Sequence, residues 1–176
     1  MKVMVCLLLL VAGSVAAQTP PAASTSEIAK LDWFVGTWTG ESWMAFGPGK
    51  RETAQVVEKV ERKLEGLLLV VEGLGTRSGN ATAAADTVHH AFGVLSFDPE
   101  SKTHRFSAWR QPGGTHVDAE AKIGDRRLEW GMKVPQGQMR YIITLNDKGQ
   151  WFEIGEFSRD GTTWNQFFEM TLTRTP

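Results

Sequence analysis

From Thr37 almost to the C-terminus the chain alternates apolar and polar side chains with a period of two, and this pattern predicts ten β-strands. They run over Thr37–Phe46, Glu52–Leu64, Leu67–Thr76, Thr87–Asp98, Thr103–Arg110, Thr115–Ile123, Arg126–Val134, Met139–Leu145, Gln150–Ser158 and Thr163–Arg174. In Arg126–Val134 one face is Leu128, Trp130, Met132 and Val134, and the other is Arg127, Glu129, Gly131 and Lys133. Met139, Tyr141, Ile143 and Leu145 make a second apolar face, and Trp164, Gln166, Phe168, Met170 and Leu172 a third. Turn-forming residues separate the strands, among them Gly47-Pro48-Gly49, Pro112-Gly113-Gly114, Gly124-Asp125 and Asn146-Asp147-Lys148-Gly149. The only longer gap, Arg77 to Asp86, is small, polar and alanine-rich, a candidate flexible rim. Ahead of the strands, Ser24 and Glu27 have capping-box spacing, and Ile28, Leu31 and Val35 recur at helical intervals. A short helix should therefore cover one end of the sheet.

Short turns pair sequential strands antiparallel. Ten long strands in a row leave exposed edges unless the sheet closes, so the expected fold is all-β: an antiparallel up-and-down β-barrel of about ten strands with a short N-terminal helix. A two-sheet sandwich, or an open sheet with the helix packed on it, is the alternative. At about eight strands and above, a barrel is either filled by its own side chains or holds a small ligand.

Composition adds a compartment. Residues 1–17 carry one positive charge, a short apolar core and small residues at the end, which reads as a secretory signal peptide cleaved after Ala17. Residues 18–24 form a flexible leader, and 25–176 make one barrel domain. The protein is thus expected to be periplasmic or secreted, with no membrane span after cleavage. The one cysteine, Cys6, lies within the signal sequence, so stability must come from packing. A formal charge of −1 gives no electrostatic reason to expect nucleic acid as a partner.

Gly36-Thr37-Trp38, placed after a short helix and at the start of a meander, resembles the Gly-x-Trp signature of the calycin superfamily. That resemblance implies that Trp38 plugs the closed end of the barrel and packs against a basic residue of the last strand, for which Arg174 is in position. The longer stretch Val35 to Glu41 and the strand His89 to Pro99 look like nitrobindin, the ten-stranded heme-binding relative. The segment Trp151 to Trp164 resembles an uncharacterised group of secreted bacterial domains of the same type. In nitrobindin a histidine close to the C-terminus holds the heme iron, and this chain has none from Phe167 to Pro176. Heme ligation would have to be rebuilt from His89, His90, His104, His116 or Met170.

The remaining chemistry concerns a pocket. His89 and His90 are adjacent on a strand and point to opposite faces, so they cannot chelate together, and His90 is taken as the ligand-facing one. Neither a metal site nor a nucleophilic triad has the spacing it needs. Glu41 and Glu72 stand among apolar residues, while Glu153 and Glu156 flank Gly155; Arg110 and Arg140 offer cationic partners. Two apposed carboxylates in an apolar pocket can run acid/base chemistry. Six of the seven tryptophans fall in strands, and aromatic walls suit flat ligands. The expected ligand-binding residues are Glu41, Glu72, His90, Trp109, Arg110, Trp130, Arg140, Tyr141 and Trp164, with Gly36, Trp38 and Arg174 as the structural plug. The expected function is binding of a small hydrophobic or amphipathic molecule without catalysis. A pocket-carboxylate isomerase or hydrolase, a nitrobindin-like heme protein and a filled-barrel interaction module are the alternatives.

Overall fold

In the computed structural model, which describes residues 21–47, 49–77, 87–111 and 113–176, ten antiparallel strands close into a single barrel. They are β1 (Gly36–Ala45), β2 (Arg51–Lys63), β3 (Leu68–Arg77), β4 (Thr87–Asp98), β5 (Thr103–Gln111), β6 (Thr115–Gly124), β7 (Arg127–Val134), β8 (Gly137–Leu145), β9 (Trp151–Ser158) and β10 (Asn165–Arg174). Each strand pairs with its neighbour in sequence, and β1 closes the ring by pairing with β10, Trp38 opposite Arg174. The signal-peptide stretch and most of the Arg77 to Asp86 rim lie outside the described residues.

Alternation sets the inner and outer walls. On β2 the buried residues are Ala54, Val56, Glu58 and Val60, with exposed Gln55, Val57 and Lys59 between them. Following the register around the ring, the inward columns include Trp151, Glu153 and Gly155 on β9, Tyr141 and Ile143 on β8, and Leu128 and Trp130 on β7. On the other side they include Phe106 and Arg110 on β5, His89, Gly93 and Leu95 on β4, and Gly73 on β3. The outer wall carries Lys59, Glu72, Asp118, Glu120, Lys122 and Glu129.

One end is shut. The helix α1 (Ala22–Ala29) packs on β3 and β4, and the 3₁₀ turn Asp32–Phe34 lies across the opening. Ile28, Leu31 and Phe34 from this cap join Trp38, Val60, Leu69, Leu95, Leu128, Trp151 and Leu172 from the strands in one buried cluster. Arg62 forms an ion pair with Asp32, and His104 Nε2 lies 3.4 Å from Glu27 Oε2, so the cap is held at its edge as well.

Two local expectations change. The helix starts at Ala22, not at Ser24: Pro21 is its N-cap residue, its carbonyl accepting from the Ser24 and Thr25 amides, and Ser24 is buried within the first turns. The alanines at 22 and 23 are strong helix formers, so no capping box is required there. On β10 a bulge between Gln166 and Phe168 breaks the period of two. Phe168, Met170 and Leu172 face inward as the pattern requires, whereas Gln166 lies opposite outward-facing Glu156 and Trp164 precedes the strand.

Candidate functional site

The closed end is built on Trp38. Gly36 has φ +141°, a conformation open to glycine, and a side chain added there would meet the Arg174 stem at 3.5 Å. The chain thus turns into β1 with Arg174 packed beside it. The Arg174 guanidinium lies over the Trp38 ring at 4.5 Å and donates to the Trp33 carbonyl at 2.5 Å. Trp38 is 0% exposed, and its Nε1 donates to the Phe34 carbonyl at 3.0 Å. Trp151 meets it edge-on at 6.0 Å.

Two carboxylic acids adjoin this closed end on the inner wall: Glu58 pairs with Trp38 across the β1–β2 ladder, and Glu153 is two residues along β9 from Trp151. Glu58 is 6% exposed and Glu153 is 8% exposed. Glu153 accepts a hydrogen bond from Trp151 Nε1 at 3.0 Å; Glu58 has no hydrogen-bond partner among the described residues. Burial pushes Glu58 up to about 8, with the neighbouring Glu153 charge adding to the effect. Burial likewise lifts Glu153 to about 7, against the opposing pull of the Trp151 hydrogen bond. The Glu58 carboxyl has room because β3 presents Gly73 opposite it, where an added Cβ would lie 2.6 Å from Glu58 Oε2. Gly73→Ala is therefore expected to destabilise the fold by about 1–3 kcal/mol through overpacking. In a Glu58→Ala background that loss should shrink, a coupling that a double-mutant cycle by urea unfolding measures.

Toward the open end the inner wall becomes aromatic and then cationic. Trp130 and Tyr141 stack at 4.5 Å and 13°, with Phe106 4.8 Å from Trp130 and Phe168 6.2 Å from Tyr141. Burial, then the Glu153 charge, raises the Tyr141 phenol to about 12. Small residues continue the inner wall beside it, including Ala91 on β4 and Ala108, the next inward residue after Phe106 on β5. Nearer the mouth, His89 is lowered to about 4 by burial and by Arg110, so its imidazole is neutral at ordinary pH.

Three of the expected ligand residues, Arg110, Trp130 and Tyr141, face the interior. The other six do not line it. Glu41, Glu72 and His90 occupy outward positions and are exposed, because their neighbours Gly40, Gly73 and His89 take the inward ones. Trp109 is 43% exposed on the outer wall, ring-stacked on His116 at 4.8 Å and 6.3 Å from Phe92. Arg140 and Trp164 meet outside the barrel at 4.1 Å, where Arg140 Nε donates to Glu156 at 2.7 Å. They border a shallow outer groove of about 370 Å³ that also touches Glu120 and Glu129.

The sequence patterns do not single out Glu58, and they pick out Glu153 and His89 without placing either inside. Each of the three has apolar or small neighbours in its inward column: Ala54-Val56-Glu58-Val60, Trp151-Glu153-Gly155 and His89-Ala91-Gly93-Leu95. That column membership is the signal by which they can be found.

The donors for heme do not fit the pattern the resemblance implies. His90 and His116 are on the outer wall, His104 is held at the cap, and His89 alone faces the upper interior. On β10 the inward positions are Phe168, Met170 and Leu172. Among the described residues no group of three or more His, Cys, Asp or Glu side chains is arranged to hold a metal ion. No protein-family model matches the chain, and a search of curated proteins finds no match either.

Proposed function

We propose that this protein is a calycin-like barrel, exported by the signal sequence at residues 1–17, that binds one small amphipathic molecule through the end opposite Trp38. The observation that carries the reading is the layered inner wall: an aromatic face of Phe106, Trp130, Tyr141 and Phe168 set between a buried acid pair and a cationic mouth. A filled barrel has no need of two buried carboxyls, since apolar residues of similar size would pack there without the desolvation penalty. Titration with the fluorescent probe 1-anilinonaphthalene-8-sulfonate tests this. Saturable binding, weakened on the order of tenfold by Trp130→Ala, is expected; only weak, non-saturating binding would overturn it.

A second reading is favoured by the acids alone. Glu58 at about 8 and Glu153 at about 7 place a proton donor and acceptor near neutrality in the buried interior, the condition for general acid/base catalysis. Turnover on a panel of hydrolase and isomerase substrates, abolished by Glu153→Gln, would decide for it.

A further inference from the structure

Among the described residues the two acids lack a counter-charge. Four arginines occupy inward-facing columns there, and each is elsewhere. Arg174 is at the plug, stacked on Trp38; Arg62 is at the cap, paired with Asp32; Arg110 is at the mouth; and Arg77 is at the rim, 3.3 Å from Glu52. No lysine among the described residues shares these columns at the level of Glu58 and Glu153. Glu58 is more than nine-tenths buried, has no hydrogen-bond partner among the described residues and lies in the interior against Gly73, which leaves its lone pairs for something that the chain itself does not supply.

We propose that Glu58 and Glu153 form the cation-recognising floor of the interior site, so that the ligand is an aromatic or otherwise flat apolar amine entering head-first. Its ammonium sits between the two carboxyls, donating to both, and its body lies along the Trp130–Tyr141 stack. This deepens the ligand-binding reading above and rests on it.

Binding then moves protons. An empty site retains protons on its acids, because burial disfavours the ionised forms; an arriving ammonium favours them, so binding expels protons and tightens as pH rises. The other inward groups do not mimic this response. His89 is neutral and Tyr141 protonated throughout the interval from pH 6 to pH 8; the four arginines are placed as above, His104 lies at the cap against Glu27, and Glu52 lies at the rim with Arg77.

The test is calorimetric titration with three probes of one shape, 2-phenylethylamine, 2-phenylethanol and 3-phenylpropionate, at pH 6 and pH 8 in buffers of differing ionisation enthalpy. The amine is expected to bind about tenfold or more tighter than the alcohol, with proton release and tighter binding at the higher pH. Glu58→Gln and Glu153→Gln, which keep the side-chain shape, should each remove that preference. Equal binding of all three probes, or an amine preference that survives both variants, overturns the proposal while leaving the barrel a ligand binder. Failure of the amine to bind where the naphthalene probe saturates does the same. If neither the probes nor the naphthalene dye finds a saturable site, the ligand-binding reading falls with it.

Discussion

Trp38→Ala is expected to lower the free energy of unfolding by about 3–5 kcal/mol, the range for removing a large aromatic side chain from a packed core. The value should fall toward the upper end because three separate contacts end together. The ring is fully buried against Trp151, it supports the Arg174 guanidinium, and its Nε1 satisfies the Phe34 carbonyl of the cap. Truncation thus leaves a cavity, an orphaned carbonyl and an arginine deprived of its aromatic platform. Trp38→Phe keeps most of the packing and loses the donor, so it should recover more than half of the stability. Urea unfolding of the three proteins, followed by far-ultraviolet circular dichroism, measures both differences. If Trp38→Ala loses less than about 1 kcal/mol, Trp38 is not the keystone of the closed end.

The second large effect is a dependence of stability on pH that runs opposite to the usual acid lability. Glu58 and Glu153 have folded-state values of about 8 and about 7, above the 4.5 of an exposed glutamate. Groups raised in this way contribute stability that is fully present below about pH 4.5 and is lost as pH climbs through 7 and 8. Each tenfold difference in proton affinity between the folded and unfolded chains is worth about 1.4 kcal/mol, so the pair should weaken the fold on the order of 5 kcal/mol between pH 5 and pH 9. Surface acids such as Asp118, held low by Arg105 and Ser107, act in the opposite sense at lower pH. Thermal melts across this interval should fall steeply for the native chain and much less for Glu58→Gln, which ought to be the more stable protein at pH 8. A flat profile above pH 5 would mean that the carboxyls are hydrated in solution.

The architecture is legible in the sequence because its signals are redundant. Alternation, short turns and strand length all favour a meander that closes, and Trp130 and Tyr141 sit in columns whose apolar members set the inward parity. Elsewhere the polarity of the two walls is locally inverted. The outer face of β2 to β5 carries Val57, Leu74, Phe92 and Trp109, while the inner face carries Gly73, Gly75, Gly93 and Glu58. Read residue by residue, these strands suggest the wrong side, which is why hydropathy assigns Glu72, His90 and Trp109 inward. The acid pair is harder still. Glu58 and Glu153 are separated by 95 positions in the sequence, and only closure of the ring at β1 and β10 leaves β2 and β9 with just those two strands between them. Trp164 illustrates a third cause: one bulge at Gln166 to Phe168 shifts the parity of everything before it.

Closure between β1 and β10 also has a bearing on how the chain is made. The seam joins Trp38 to Arg174 and is extended by the Thr175 amide donating to the Thr37 carbonyl at 2.8 Å. The first strand to leave the ribosome must therefore wait for the last before its free edge is paired. During that interval β1 and then each newly finished strand present an open ladder of amides and carbonyls, the surface on which chains join edge to edge. Bringing the seam together last makes the final strand both a wall of the barrel and the latch that withdraws the nascent sheet from aggregation.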